Sequence, residues 1–357
     1  MTRSGSGLTR REIIILAGIA LMTVIAGVTR YAGGVSKILA FSCATLSLAG
    51  LAWVVSFATD QLGRKFGPGV TGFLQSTLGN LPEFFVVIFA LQAHQKVVAE
   101  TAILGSILVN ALLVLGLVIV AGAARARDGV MRFNPRLPTD TATLLLISTF
   151  IIVLIGLTNS ARDTASHHTK TISIVGACLL LVVYATWLRQ YLSADERPGE
   201  EVEQARVPVI TSGILLVLAG GGSAFVSDWF VHALQTTITT LHISQAFAGL
   251  VIVAIAGNAV ENFTGIVLAY RGRSDLAISV VKNSVAQIAA FLYPALVLVS
   301  MLTVTTLTFT LAPVYIGALL GTAVIVWQIT GDGEATVFEG CALIATFVIL
   351  ATVAAFE

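Results

Sequence analysis

The sequence predicts an all-α polytopic membrane protein with about eleven transmembrane helices, one leading helix followed by two inverted five-helix repeats. Three observations predict it. Of 357 residues, 56% are apolar and only 11% charged, where soluble domains carry roughly a quarter; mean hydropathy is +0.93. Apolar windows of bilayer length recur along the whole chain. And one motif comes back: "GNLPEFFVVIFAL" (Gly79 to Leu91) returns as "GNAVENFTGIVLA" (Gly257 to Ala269), 178 residues later.

A hydrocarbon core of about 30 Å takes about 20 apolar residues of helix. Such windows lie near 12–32, 36–58, 70–92, 98–122, 139–158, 171–191, 208–231, 244–270, 276–300, 305–328 and 337–356. The first follows the tail "MTRSGSGLTRR" and exceeds a signal-peptide core in length, so it reads as an uncleaved span. The long polar insert "SADERPGEEVEQAR" (Ser193 to Arg206) is acidic and carries Pro198 and Gly199, as a solvated linker would. The expected organisation is therefore a tail and leading helix (1–33), a first repeat (34–192), an acidic linker (193–207) and a second repeat (208–357).

Charge orients these spans. With the N-terminus in the cytoplasm, fourteen Lys and Arg residues fall on the cytoplasmic side, five on the other, and Lys282 inside a span. An odd number of spans puts the C-terminus outside, in a cell membrane of bacterial type. The net charge of +1 offers no basic field for nucleic acid. Cys43, Cys178 and Cys341 lie scattered in apolar runs, without ligand spacing.

The offset of 178 also carries Glu83 onto Glu261, Phe85 onto Phe263 and Ser106 onto Ser284, which marks a duplicated unit. Five spans separate the copies, so they cross in opposite directions. Gly79, Asn80 and Pro82 loosen one helix just before its glutamate; Gly257 and Asn258 loosen the other. Backbone carbonyls freed at that depth are tolerated where they line a wet or occupied cavity. Among nineteen acids, only Glu83 and Glu261 fall deep in the predicted hydrocarbon. A mid-bilayer carboxylate costs several kcal/mol, so such residues are functional by default.

Two carboxylates with released carbonyls make a hard, all-oxygen cage of the kind calcium takes. Neutral donors stand beside them: Asn80 and Asn258 three residues before each glutamate, Ser106 with Asn110 on one helix face, Ser284 with Gln287 on another. The same side-chain types also join membrane helices without touching substrate. Two like charges in low dielectric cannot both stay ionised cheaply once the metal leaves, so protons compete with it for the same oxygens. If the empty, unprotonated cage cannot reorient, cation movement one way requires proton movement the other.

At these motifs the chain resembles the cation/proton exchanger family of the calcium/cation antiporter superfamily. "ATDQLGRKFGPGVTGFLQSTLGNLPE" and "LGSILVNALLVLG" are similar to that family's first repeat, and "AGNAVENFTGIVLAYRGRSDLAISVVKNSVAQIA" to its second. The resemblance implies a secondary transporter that exports or sequesters Ca²⁺ in exchange for protons by alternating access. It implies Glu83 and Glu261 as the shared cation and proton sites, no cofactor beyond the transported ion, and no catalysis. Three positions depart from it. Asn262 stands where relatives often have histidine, Asn283 where they have glycine, and Lys282 brings a cation close to a cation site. Two residues along a helix turn about 200°, so Lys282 faces away from Ser284 and is near enough to the cytoplasmic end to snorkel, with a salt bridge that retunes Glu261 as the alternative.

Asp60 and Asp228, at the expected ends of the second and seventh spans, and Gln75, two turns before Glu83, are candidates for a gate or mouth. The alternatives are exchange of Na⁺ against Ca²⁺, another cation such as Mn²⁺, and a passive cation channel. Partners are membrane lipids and the transported ions; oligomeric state is not encoded in any pattern found.

Overall fold

The structure, a computed structural model, describes residues 7–32, 34–66, 78–194 and 205–357, except for the side chains of 136–139, 191–194 and 260–261. Among the described residues nine helices are long and apolar enough to cross a membrane. They are α1 (Arg10–Tyr31), α2 (Lys37–Phe66), α4 (Lys96–Arg125), α5 (Arg136–Ser160), α6 (Thr169–Ala194), α7 (Val209–Leu241), α10 (Ser274–Ser300), α11 (Pro313–Thr330) and α12 (Val337–Ala355). A shorter apolar helix, α3 (Leu81–Gln92), precedes α4. A further passage is split into α8 (Gln245–Gly257) and α9 (Ala259–Tyr270), with a bend of 60° between Gly257 and Asn262.

Helix ends follow local chemistry. Thr9 caps α1 and Glu12 closes the capping box; Thr336 and Glu339 do the same for α12. Pro82 sits in the first turn of α3, where its missing N–H costs nothing. The turn that the first motif predicts therefore falls at Gly79–Asn80, just ahead of the proline. Among the described residues the departure from all-helix is one antiparallel ladder, β1 (Val130–Arg132) with β2 (Glu334–Thr336), in register Met131 opposite Ala335.

Two compact units divide the chain. The first comprises residues 1–89 and 185–242, the second 90–184 and 243–357. In the first, α1, α2 and α7 pack through small residues, as membrane helices do. A Cβ on Gly50 would lie 2.9 Å from Ile19, one on Gly27 3.0 Å from the Trp229 ring, and one on Gly222 3.3 Å from Leu51. Thr23 and Ser47 share a hydroxyl hydrogen bond of 2.8 Å between α1 and α2. At one end of this unit the N-terminal tail, the linker exit and α2 meet. Gly7 N–H donates to the Arg206 carbonyl at 3.0 Å, Arg206 pairs with Glu12 at 2.9 Å, and Gln61 Oε1 accepts from the Arg206 and Val207 N–H groups.

In the second unit α4 is the central helix, with 83% of its apolar window buried, against 6% for α1. Gly105 on α4 faces the Leu250 backbone of α8, and Gly249 on α8 faces Thr101 of α4. Gly116 and Gly340 bring α4 against α12 in the same manner. Loops gather at the two ends of this unit as a through-and-through alternation requires. At one end β1 pairs β2, the Asn134 N–H donates to Asp275 at 2.7 Å, and Arg125 donates to the Tyr270 carbonyl at 2.8 Å. At the other, His94 meets Thr305 at 3.4 Å and the Ser244 hydroxyl donates to the Ala354 carbonyl.

Candidate cation site

In the first unit, Glu83 is the third residue of α3 and only 4% exposed. A carboxylate in that position lies in the first turn of the helix, beside backbone N–H groups that have no intrahelical acceptor. The helix start is held from the side: the Ser227 hydroxyl of α7, itself fully buried, donates to the Pro82 carbonyl at 3.3 Å. Asn80 is 6% exposed, and its amide nitrogen has no hydrogen-bond acceptor among the described residues.

The second unit repeats the plan. Asn258 terminates α8 and precedes α9, with φ −103° and ψ 10°, and Glu261 is the third residue of α9, the position Glu83 holds in α3. The Glu261 side chain itself lies outside the described residues. Asn258 is buried, and its amide nitrogen donates to Ser106 Oγ and to the Ala254 carbonyl, both at 3.0 Å. Ser106 is thus joined across two helices to the asparagine of the second motif, a contact the sequence pattern does not predict. The Asn110 amide turns back along α4 to the Ser106 carbonyl at 2.9 Å. Ser284, on α10, is 3% exposed, and its hydroxyl has no partner among the described residues; Gln287, one turn on, is half-buried.

One feature escaped the sequence reading. Both helices that carry these donors contain a π segment, Val109–Val114 in α4 and Ile288–Leu292 in α10. Asn110 and Ile288 are 178 residues apart, so the segments obey the repeat. A third, Ala248–Val253, lies in α8 just before the bend. Such bulges loosen the backbone ladder and recur at functional sites. Ser227 was missed as well; its only signal is a hydroxyl in the small-residue run "GGGSAFVSD" of α7.

The outlying candidates fare differently. Asp60 is not at a free helix end but inside α2, ion-paired to Arg64 at 2.8 Å. Asp228 is exposed on α7, which continues thirteen residues further to Leu241. Gln75 lies outside the described residues. Lys282 corrects an expectation: it is 1% exposed, so it does not snorkel to water. Its ammonium reaches toward the end of α11 and donates to Thr330 Oγ1 at 3.2 Å. Nothing in its own sequence neighbourhood reveals that α11 covers it.

Among the described residues no three His, Cys, Asp or Glu side chains form a metal cluster. The candidate residues of each unit offer carboxylate, amide or hydroxyl oxygens, hard donors of the kind alkaline-earth and alkali cations take. Comparison with known proteins agrees with the duplicated plan: the sodium/calcium exchanger protein family matches residues 36–189 and, separately, 211–356. The chain belongs to the sodium/calcium exchanger protein family. The family match leaves α1 outside both halves and skips the linker exit. Within this family, the chain is 31% identical to the vacuolar calcium ion transporter of Schizosaccharomyces pombe, over 85% of this chain and 76% of that one. It is 28% identical to the Ca²⁺/H⁺ antiporter ChaA of Bacillus subtilis, over 95% and 97%. The structure of native YfkE superposes with a TM-score of 0.79 at 25% identity, covering 97% of this chain and 99% of that chain. The H⁺/Ca²⁺ exchanger CAX shares the fold, with a TM-score of 0.75 at 14% identity, over 98% and 93%. This exchanger chain is accordingly an integral membrane protein of a transporter family.

Proposed function

We propose that the chain is a Ca²⁺/H⁺ antiporter in which Glu83 and Glu261 are the shared sites for the transported cation and for protons. The observation that carries this reading is the matched placement of the two acids: each is third in a helix that begins at a break, 178 residues apart. Relatives named Ca²⁺/H⁺ antiporter, aligned along nearly the whole chain, support it. Asn80, Asn258, Ser106, Asn110, Ser284 and Gln287 line the path. The Asn258 amide nitrogen is spent on Ser106 and Ala254, which leaves its carbonyl oxygen for a cation. When the divalent ion leaves, protons neutralise the acids, and the neutral carrier reorients; an empty charged site would carry two uncompensated charges through low dielectric.

The organisation that goes with this function is a leading helix and two inverted five-helix repeats (34–192 and 208–357) joined by the acidic linker. The N-terminus is cytoplasmic and the C-terminus outside, in a cell membrane of bacterial type, on the strength of the basic-residue asymmetry. Transported Ca²⁺ is substrate, and the cycle needs no further cofactor. The test is a flux screen in liposomes: a pH gradient, acid inside, drives uptake of radioactive Ca²⁺, while a sodium gradient at equal pH does not. Uptake driven by sodium alone, or single-channel conductance in planar bilayers, would replace the reading with a sodium/calcium exchanger or a channel.

A further inference from the structure

Three basic side chains of the first unit lie within electrostatic reach of one another, one of them against an aromatic pair, and they take no part in the site above. Arg30 lies in the last turn of α1, Lys37 opens α2, and His232 lies on α7. His232 is within electrostatic reach of Arg30, Lys37 and Asp228. The Arg30 guanidinium stands 5.4 Å from the Tyr31 ring centroid, and Tyr31 meets Trp229 edge-on at 6.3 Å. Gly27 makes room for this arrangement, because a Cβ there would lie 3.0 Å from the indole.

These charges lack ion-pair partners. Arg30 Nε is buried with no acceptor, and neither Arg30 nor Lys37 forms an ion pair among the described residues. A buried donor without an acceptor needs explaining. Asp228 opposes part of the positive charge, yet it is exposed and forms no ion pair among the described residues, and Arg30 with Lys37 exceed it by one charge.

Depth identifies the ligand. An α-helix rises about 1.5 Å per residue, so a core of about 30 Å is crossed in about 20 residues. Counted from Val209, that reaches Trp229, with α7 continuing to Leu241. Trp229 and Tyr31 therefore sit at the lipid–water boundary, where such rings collect. Below them α1 presents exposed Val24 and Val28 (63% and 59% exposed), a surface for acyl chains.

We propose that Arg30, Lys37 and His232, with the Tyr31–Trp229 pair as a shelf, bind the phosphate headgroup of an anionic phospholipid in the leaflet opposite the N-terminus. Arginine and lysine on a phosphodiester give charge-assisted hydrogen bonds, which favour an anionic headgroup over a zwitterionic one. This site is independent of the ion-exchange reading.

Native mass spectrometry of the full chain tests it, with phosphatidylglycerol and phosphatidylcholine as competing probes. Phosphatidylglycerol is retained in preference; Arg30→Gln with Lys37→Gln weakens retention by about tenfold, and Asp228→Asn strengthens it. Inorganic phosphate at millimolar concentration leaves the bound lipid in place. Equal retention of the two lipids, or unchanged retention in the double variant, overturns the site. Displacement by inorganic phosphate overturns the lipid and makes a soluble anion the ligand.

Discussion

In the proposed exchange, position matters for Glu83 and Glu261 as much as charge: each stands in the first turn of a helix, after a break made by glycine and asparagine. That much was legible, because an acid, a helix breaker and a fixed offset are all visible in the letters. What each carboxylate's neighbours do was less so. Ser106→Ala removes the acceptor of Asn258 and leaves the Ala254 carbonyl as its remaining acceptor. Loss of about 1 kcal/mol of stability is expected, read as a lower melting temperature, together with a higher KM for Ca²⁺ uptake. Lys282 was not legible at all, since the helix that covers it is forty-eight residues away in sequence. Lys282→Met keeps the buried volume and removes the amine; Thr330 retains its own bond to the Val326 carbonyl at 2.7 Å. The Met variant is expected to melt at the same or a higher temperature. Lys282→Ala, which opens a cavity, should lose roughly 2–4 kcal/mol.

At the level of elements, close helix approach does the work that hydrophobicity cannot do in lipid. A Cβ on Gly105 would fall 2.3 Å from the Leu250 carbonyl oxygen. Gly105→Ala therefore has to part α4 from α8 and should cost about 1–3 kcal/mol. Gly213→Ala on α7, where nothing lies within 4 Å, should stay within about 0.5 kcal/mol. Thermal melts of the two variants in one detergent compare them directly. The β1–β2 ladder gives a pH prediction. A hydrogen bond from Arg132 holds the Asp128 carboxyl below its ordinary range, against a small burial effect. Its folded value is the lower one, so the stabilisation is complete above the ordinary carboxylate range and disappears as pH falls through the lowered value. The melting difference between wild type and Asp128→Asn should accordingly shrink to nothing in acid. Neither this ladder nor the π segments could be read beforehand. Three-residue strands carry too short a pattern, and a shift from one backbone register to the next leaves no trace in composition.

Across the whole molecule, the duplicated plan was the most legible feature, because a 178-residue offset and alternating loop charge both survive in the sequence. The division into compact units was not, since the first unit gathers 1–89 with 185–242 and so draws on both halves of the chain. The central claim is that metal and protons use the same two acids. It is tested by the number of protons released when Ca²⁺ binds the purified protein, measured by calorimetry in buffers of different ionisation enthalpy. The account predicts proton release by the wild type at mildly acidic pH, and loss of both Ca²⁺ binding and release in Glu83→Gln and in Glu261→Gln. Tight Ca²⁺ binding with undiminished proton release in either variant would contradict it.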